Sequence, residues 1–224
     1  MHDERATNAL FFDLDGTLLD TAPDLAAAVN YTRQSLLSLP PLPLEKLRPA
    51  VTKGTVALTE IGSGCQQHTA KFVEFRETML AYYLDHVADL SKPFVGIDEL
   101  LDHLDGMPFV WGIVTNKPTS FALPLLKASN LLSRAHCVIC GDTTTRAKPH
   151  PDHLLLAAEQ VGVPPARCAY VGDAATDMQA SRSADMYAVA ASWGYIESDD
   201  NIATWPSDIV LDNPTELLEW IKRF

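Results

Sequence analysis

Hydrophobic positions along this chain follow two different periods, and the change between them divides it. Residues 9–12, Ala-Leu-Phe-Phe, form a short unbroken apolar run, the pattern of a strand buried on both faces. From 21 to 37 the period becomes helical: Leu25, Ala28, Val29, Thr32 and Leu36 make one stripe, with Asp24 favourable near the positive N-terminal end. A proline-rich break at 38–45 ends it. Helical spacing then resumes through Leu47, Val51, Val56, Leu58 and Ile61, and again over 67–86, where Phe72, Phe75, Met79, Tyr82 and Tyr83 read as packing between helices. No strand signal interrupts 21–88.

After Lys92-Pro93 the two periods alternate. Helices are predicted over 97–104, from near 118, over 151–161, through about 183 and over 214–224, the last with Leu217, Leu218 and Ile221 inward. Strands are predicted over 109–114, 136–140, 168–171, 187–191 and 208–211. Strands separated by helices pair in parallel, so the expected fold is an α/β, doubly wound, mostly parallel sheet with an all-helical insert. The sheet unit comprises 1–20 and 89–224, and the insert 21–88.

Composition narrows the function. A net charge of −12 with no Lys/Arg cluster argues against nucleic acid as a partner. It also repels small anions at long range, so an anionic ligand needs a local cation or metal. The charged start followed by only a few apolar residues is neither a signal peptide nor a membrane span, and the four cysteines lack a disulfide framework. A cytoplasmic protein with no membrane partner is expected. Cys137, Cys140, His150 and His153 spell a loose Cys/His pattern, but its spacing misses that of zinc fingers and the cysteines sit in a predicted strand.

Chemistry gathers where predicted strands end. Asp13 and Asp15 follow the first strand one residue apart, and a period of two points both side chains the same way. Two close carboxylates need a metal ion or a shared proton, although a solvated strand end also accounts for a bare Asp-x-Asp. Gly16 permits a sharp turn that the Thr17 side chain can hold. Thr115-Asn116 ends the next strand ahead of a helix start, where an anion can be met, or where a polar residue simply caps. Lys148 precedes the helix opening at Pro151; alone it reads as a surface lysine. Asp173 ends a further strand, and Asp177 falls in the next helical turn, positions suited to an oxygen-liganded metal or to the helix dipole.

Taken together and in this order, D-x-D-G-T-L-x-D (13–20), Thr115-Asn116, K-P-x-P (148–151) and G-D-x-x-x-D (172–177) closely resemble the four motifs of the haloacid-dehalogenase-like superfamily, and the likeness covers almost the whole chain. It is a C1-capped member on this reading, with a Rossmann-like core and 21–88 as the helical cap domain. The resemblance implies a magnesium-dependent phosphatase acting on a small-molecule phosphomonoester through an aspartyl-phosphate. Asp13 would be the nucleophile, and Asp15 the acid/base, held protonated for the first step. Thr115, Asn116 and Lys148 would hold the phosphoryl oxygens. Mg2+ would be held by Asp13, the backbone carbonyl of Asp15 and Asp173, with Asp177 behind them orienting Lys148. Thr52, Lys53 and Gly54 of the cap would select the substrate, and His150 lies outside the shared pattern.

The stretches 111–118 and Trp193-Gly194-Tyr195-Ile196 look most like phosphoglycolate phosphatases and the similar bacterial N-acetylmuramic acid 6-phosphate phosphatases. The former favours 2-phosphoglycolate as substrate. The alternatives are N-acetylmuramic acid 6-phosphate or another sugar phosphate, β-phosphoglucomutase-like transfer, and a non-catalytic regulatory domain. A monomer or homodimer is expected. Two positions depart from the usual wording: Ala174 replaces a polar residue, and Asp185 occupies a helix C-terminal turn where glycine is easiest.

Overall fold

The computed structural model describes residues 8–196 and 200–221. The chain opens with β1 (Ala9–Phe12) and a two-residue strand β2 (Leu19–Asp20). Four helices follow: α1 (Ala22–Leu37), α2 (Leu44–Leu47), α3 (Gly54–Ser63) and α4 (Ala70–Asp85). The strand β3 (Lys92–Pro93) pairs antiparallel with β2, closing a small ribbon at the base of these helices. Two residues per strand are too few to register as a period, which is why the ribbon has no sequence signal.

The remainder alternates as expected: α5 (Ile97–Asp105), β4 (Val110–Val114), α6 (Thr119–Ala128), β5 (Val138–Ile139), α7 (Asp152–Val161), β6 (Cys168–Gly172), α8 (Ala175–Ser183), β7 (Tyr187–Ala191), β8 (Ile209–Leu211) and α9 (Pro214–Ile221). The final helix was expected to reach 224, but 222–224 lie outside the described residues. The main sheet has the order β5-β4-β1-β6-β7-β8, and every pairing in it is parallel. A mostly parallel Rossmann-like core with added helical elements is therefore the fold. Among the described residues, no helix is long and apolar enough to cross a membrane.

β1 is central and buried along its length, so its side chains feed two cores by turns. Leu10 and Phe12 join α5, α6 and α9 on one face; Ala9 and Phe11 join α7 and α8 on the other. From β1 the chain winds towards β4 and β5, then crosses to β6 and winds the other way. The switch point thus falls between the carboxyl ends of β1 and β6, where sheets of this kind bind ligands.

The helices of 22–85 pack on one another through Leu25, Val29, Leu58, Phe75, Met79 and Tyr83. Two expected inward residues differ. Leu36 is exposed, and Arg33 takes the buried place instead because its guanidinium donates to the carbonyls of Pro40 and Gly62. Tyr82 is only half-buried and stacks on Tyr31 and His86 at the surface. Asp24 does more than complement the helix dipole: it is buried and accepts from the N–H groups of Leu90 and Ser91, tying α1 to the returning chain.

Candidate active site

The carboxyl ends of β1, β4 and β6 open into a cavity of about 350 Å³, whose far wall is built by α3 and α4. Asp13, Asp15, Thr115, Asn116, Lys148, Asp173 and Asp177 all line it, as do Thr52, Lys53 and Gly54. Every candidate residue read from the sequence therefore faces one space. Its size is within the ~300–1,000 Å³ usual for small-molecule sites.

Lys148 is the centre of the charge network. Its ammonium lies 3.1 Å from Asp13 Oδ1 and 2.8 Å from Asp177 Oδ1, and donates to the Tyr170 hydroxyl at 2.7 Å. Tyr170 in turn donates to the Val114 carbonyl at 2.7 Å, so the lysine is fixed from β4 and β6 together. Burial alone would lower the Lys148 pKa, but Asp13 and Asp177 outweigh it and hold the group charged. Asp13 Oδ1 also accepts the Leu14 N–H at 2.8 Å, which fixes its rotamer.

Asp173 is buried and held on both oxygens: Oδ1 accepts from Thr17 Oγ1 at 3.1 Å and Oδ2 from the Tyr195 N–H at 2.8 Å. Thr17 thus reaches across the site rather than bracing its own turn. Gly16, with φ of +85°, and Gly194 close on this carboxylate from two sides, and a Cβ at either would collide with it.

One carboxylate oxygen from each of Asp13, Asp173 and Asp177 falls within 4.8 Å of the others. Burial, then repulsion from Asp13 and Asp177, pushes the Asp173 carboxyl well above its ordinary range. Burial likewise pushes Asp13 up to about 6, with Lys148 opposing and Asp177 and Asp15 adding. Two buried carboxylates and the half-buried Asp13 against one ammonium leave negative charge in excess, and an all-oxygen donor set suits a hard divalent cation. The site can hold such an ion. Asp177, expected behind the ligands, adds a side-chain oxygen to this cluster.

Asp15 points elsewhere because β1 has ended at Phe12, so the alternation expected of a strand no longer applies. Its two oxygens accept from Lys117 Nζ at 2.9 and 3.1 Å, and Oδ1 also accepts from Thr21 Oγ1 at 2.5 Å. Lys117 and Thr21 thus hold the Asp15 side chain from both oxygens. Burial would lower the Lys117 pKa, but Asp15 outweighs it, and the ammonium also lies 4.9 Å from the Tyr83 ring centre.

The Asn116 side chain donates to the Lys148 carbonyl at 3.2 Å and accepts the Lys148 N–H at 3.1 Å, so it braces the lysine turn at the cavity wall. Thr115 is buried, and its Oγ1 accepts from the Lys117 N–H at 3.1 Å. Gly54 has φ of +78°, and Thr52 Oγ1 donates to the Tyr195 carbonyl at 3.1 Å.

Sequence reasoning missed Lys117, Tyr170 and Arg76. Lys117 stands directly after Thr115-Asn116, and a cation there next to a strand-end carboxylate pair was the available signal. Tyr170 and Arg76 carry none, since their neighbours come from distant segments.

Comparison with known proteins agrees with this geometry. Residues 10–191 match the family model described as haloacid dehalogenase-like hydrolase. An N-acetylmuramic acid 6-phosphate phosphatase of Pseudomonas aeruginosa is 37% identical, covering 96% of this chain and 95% of its own. A phosphoglycolate phosphatase of Xylella fastidiosa is 41% identical, covering 95% and 93%. The crystal structure of a predicted phosphoglycolate phosphatase from Haemophilus somnus superposes with a TM-score of 0.85 at 25% identity, covering 96% of this chain and 97% of that one.

Proposed function

The chain belongs to the haloacid dehalogenase-like hydrolases, a phosphatase-type enzyme, and we propose that its substrate is 2-phosphoglycolate and its metal Mg2+. The observation that carries the phosphatase reading is the Lys148 ammonium bridging Asp13 and Asp177 beside the buried Asp173 carboxylate, at the switch point of the sheet. Asp13 and Asp173, with Asp177 beside them, would hold Mg2+, which would supply positive charge to offset repulsion between a carboxylate and a phosphate dianion.

In the first half-reaction an Asp13 oxygen forms a bond to phosphorus as the bond to the leaving oxygen breaks. Asp15, having taken a proton, gives it to the departing alkoxide. Lys148, held from three sides, and Thr115 face the equatorial oxygens where charge builds. In the second half Asp15 acts as a base, positioned by its contacts with Lys117 and Thr21. It takes a proton from water as the water oxygen bonds to phosphorus, and Asp13 is released. Residues 21–88 act as a cap that keeps bulk water from the aspartyl-phosphate, with Thr52, Lys53 and Gly54 on its inner wall.

A second reading, N-acetylmuramic acid 6-phosphate, draws support from the cavity volume, which leaves room for a sugar, and from the relative in Pseudomonas aeruginosa. The deciding experiment is phosphate release by wild type and Asp13→Asn from both compounds and from simple sugar phosphates, with and without Mg2+. The proposal expects release that needs both Mg2+ and Asp13, with 2-phosphoglycolate ahead by tenfold or more in kcat/KM, about 1.4 kcal/mol. The muramate ahead by that margin would replace the substrate, and release independent of Asp13 would reject the mechanism.

A further inference from the structure

Two arginines lie within the helices of 22–85, and they are treated differently. Arg33 spends its donors on the carbonyls of Pro40 and Gly62, as a structural cation does. Arg76 lines the cavity, and its one hydrogen bond goes from Nη2 to the neutral Thr55 hydroxyl at 3.2 Å. Its Nε is buried with no acceptor, and among the described residues no carboxylate pairs with it. Two of the site's lysines are already committed to its carboxylates, Lys117 to Asp15 and Lys148 to Asp13 and Asp177.

Arg76, Leu80 and Tyr83 recur at i, i+4 and i+7, which puts them on one face of α4, and all three line the cavity. The Tyr83 hydroxyl is likewise buried without an acceptor. Next to Thr55, a Cβ added at Gly54 would meet nothing within 4 Å, so open space adjoins this group. A guanidinium on the wall of a binding cavity that no carboxylate of the described residues neutralises lacks an anion that the protein does not provide.

We infer that Arg76, with Thr55 and Tyr83, forms a subsite for a carboxylate carried by the substrate away from its phosphoryl group. The inference rests on the phosphatase reading for the phosphoryl end and adds the residues that would meet the second acidic group of the substrate. A planar carboxylate matches one guanidinium through two parallel hydrogen bonds. A net charge of −12 makes such a local cation necessary, because the molecule as a whole repels an anion of this kind. Both candidate substrates carry the required group.

The test uses matched pairs: 2-phosphoglycolate against its neutral amide, and N-acetylmuramic acid 6-phosphate against N-acetylglucosamine 6-phosphate. Wild type is expected to favour the acid in at least one pair by about tenfold or more in kcat/KM. In Arg76→Gln that ratio is expected to collapse towards one, mainly through KM, with Arg76→Lys between. A wild-type ratio near one in both pairs, or a ratio that Arg76→Gln leaves intact, overturns the subsite. Should wild type release phosphate from none of the four, the phosphatase reading fails. Calorimetric titration with glycolate and lactate then decides the subsite alone: binding weakened tenfold by Arg76→Gln supports it, and equal or absent binding refutes it.

Discussion

The Tyr195 N–H donates to Asp173 Oδ2 at 2.8 Å, and this links the carboxylate cluster to the base of the helical segment. The same residue's hydroxyl accepts from the N–H groups of Thr21 and Ala22 at 2.6 and 3.0 Å and donates to Asp20 at 2.9 Å. Arg48 pairs with Asp20 at 2.7 Å and lies 5.7 Å from the Tyr195 ring centre. Tyr195→Phe keeps the ring and leaves two buried N–H groups without an acceptor, at a cost of about 1–3 kcal/mol each where no water replaces it. Thermal unfolding should show a lower Tm, and Mg2+-dependent turnover should fall with it; an unchanged Tm would mean that these donors are met in another way.

Lys117 contacts Asp15 through both carboxylate oxygens. Lys117→Met removes the ammonium and leaves Asp15 with Thr21 alone. Positioned acid/base groups contribute about 10²–10⁴-fold, so a kcat loss on the order of 10²-fold is expected, with a smaller change in KM. If Asp15 is the base for the second half-reaction, acid quenching should trap more aspartyl-phosphate in the variant than in wild type. A kcat within threefold of wild type would remove Lys117 from the machinery.

The strand ends were legible because each reactive residue follows an apolar run: Asp13 after β1, Thr115 after β4, Asp173 after β6. β7 falls on the predicted 187–191, and Asp185 adopts the left-handed φ of +56° that its place after α8 requires. Partnerships between strands were not legible. That Tyr170 holds Lys148, or that Tyr195 holds Asp173, depends on β6 lying between β1 and β7, and no local spacing encodes it. Arg33 and Arg76 look alike in sequence, and only the carbonyls around one and the cavity beside the other separate them.

Thiol chemistry checks the packing of the core independently of the site. Cys137, Cys140 and Cys168 are buried, and burial pushes their thiols up, Cys137 to about 11 and Cys168 to about 12. At pH 8 a thiol with a pKa near 11 is ~0.1% thiolate, the reactive form. Cys65 at the end of α3 is only half-buried. A chromogenic disulfide reagent should therefore titrate one thiol quickly in the native protein and all four in denaturant. Two or more fast thiols in protein with native circular dichroism would contradict the buried positions of β5 and β6.

Metal binding should stabilise the fold by an amount that grows with pH. Asp13 sits at about 6 without metal, against 3.8 ordinarily, so the folded state holds this proton more tightly than the unfolded state does. A carboxyl raised in this way costs stability as pH climbs from about 4 through about 6, and the cost is complete above that. Asp173 is shifted in the same direction by burial. Mg2+ would bind only the ionised carboxylates, competing with protons below about 6 and relieving the repulsion above it. At a hundred times its Kd it would add about 2.7 kcal/mol, or roughly 5–10 °C in Tm for a chain of this length. The Mg2+-induced rise in Tm should be small at pH 5 and near its full size at pH 7.5, and Asp173→Asn should abolish most of it. A rise independent of pH, or one that survives in Asp173→Asn, would place the ion away from these carboxylates.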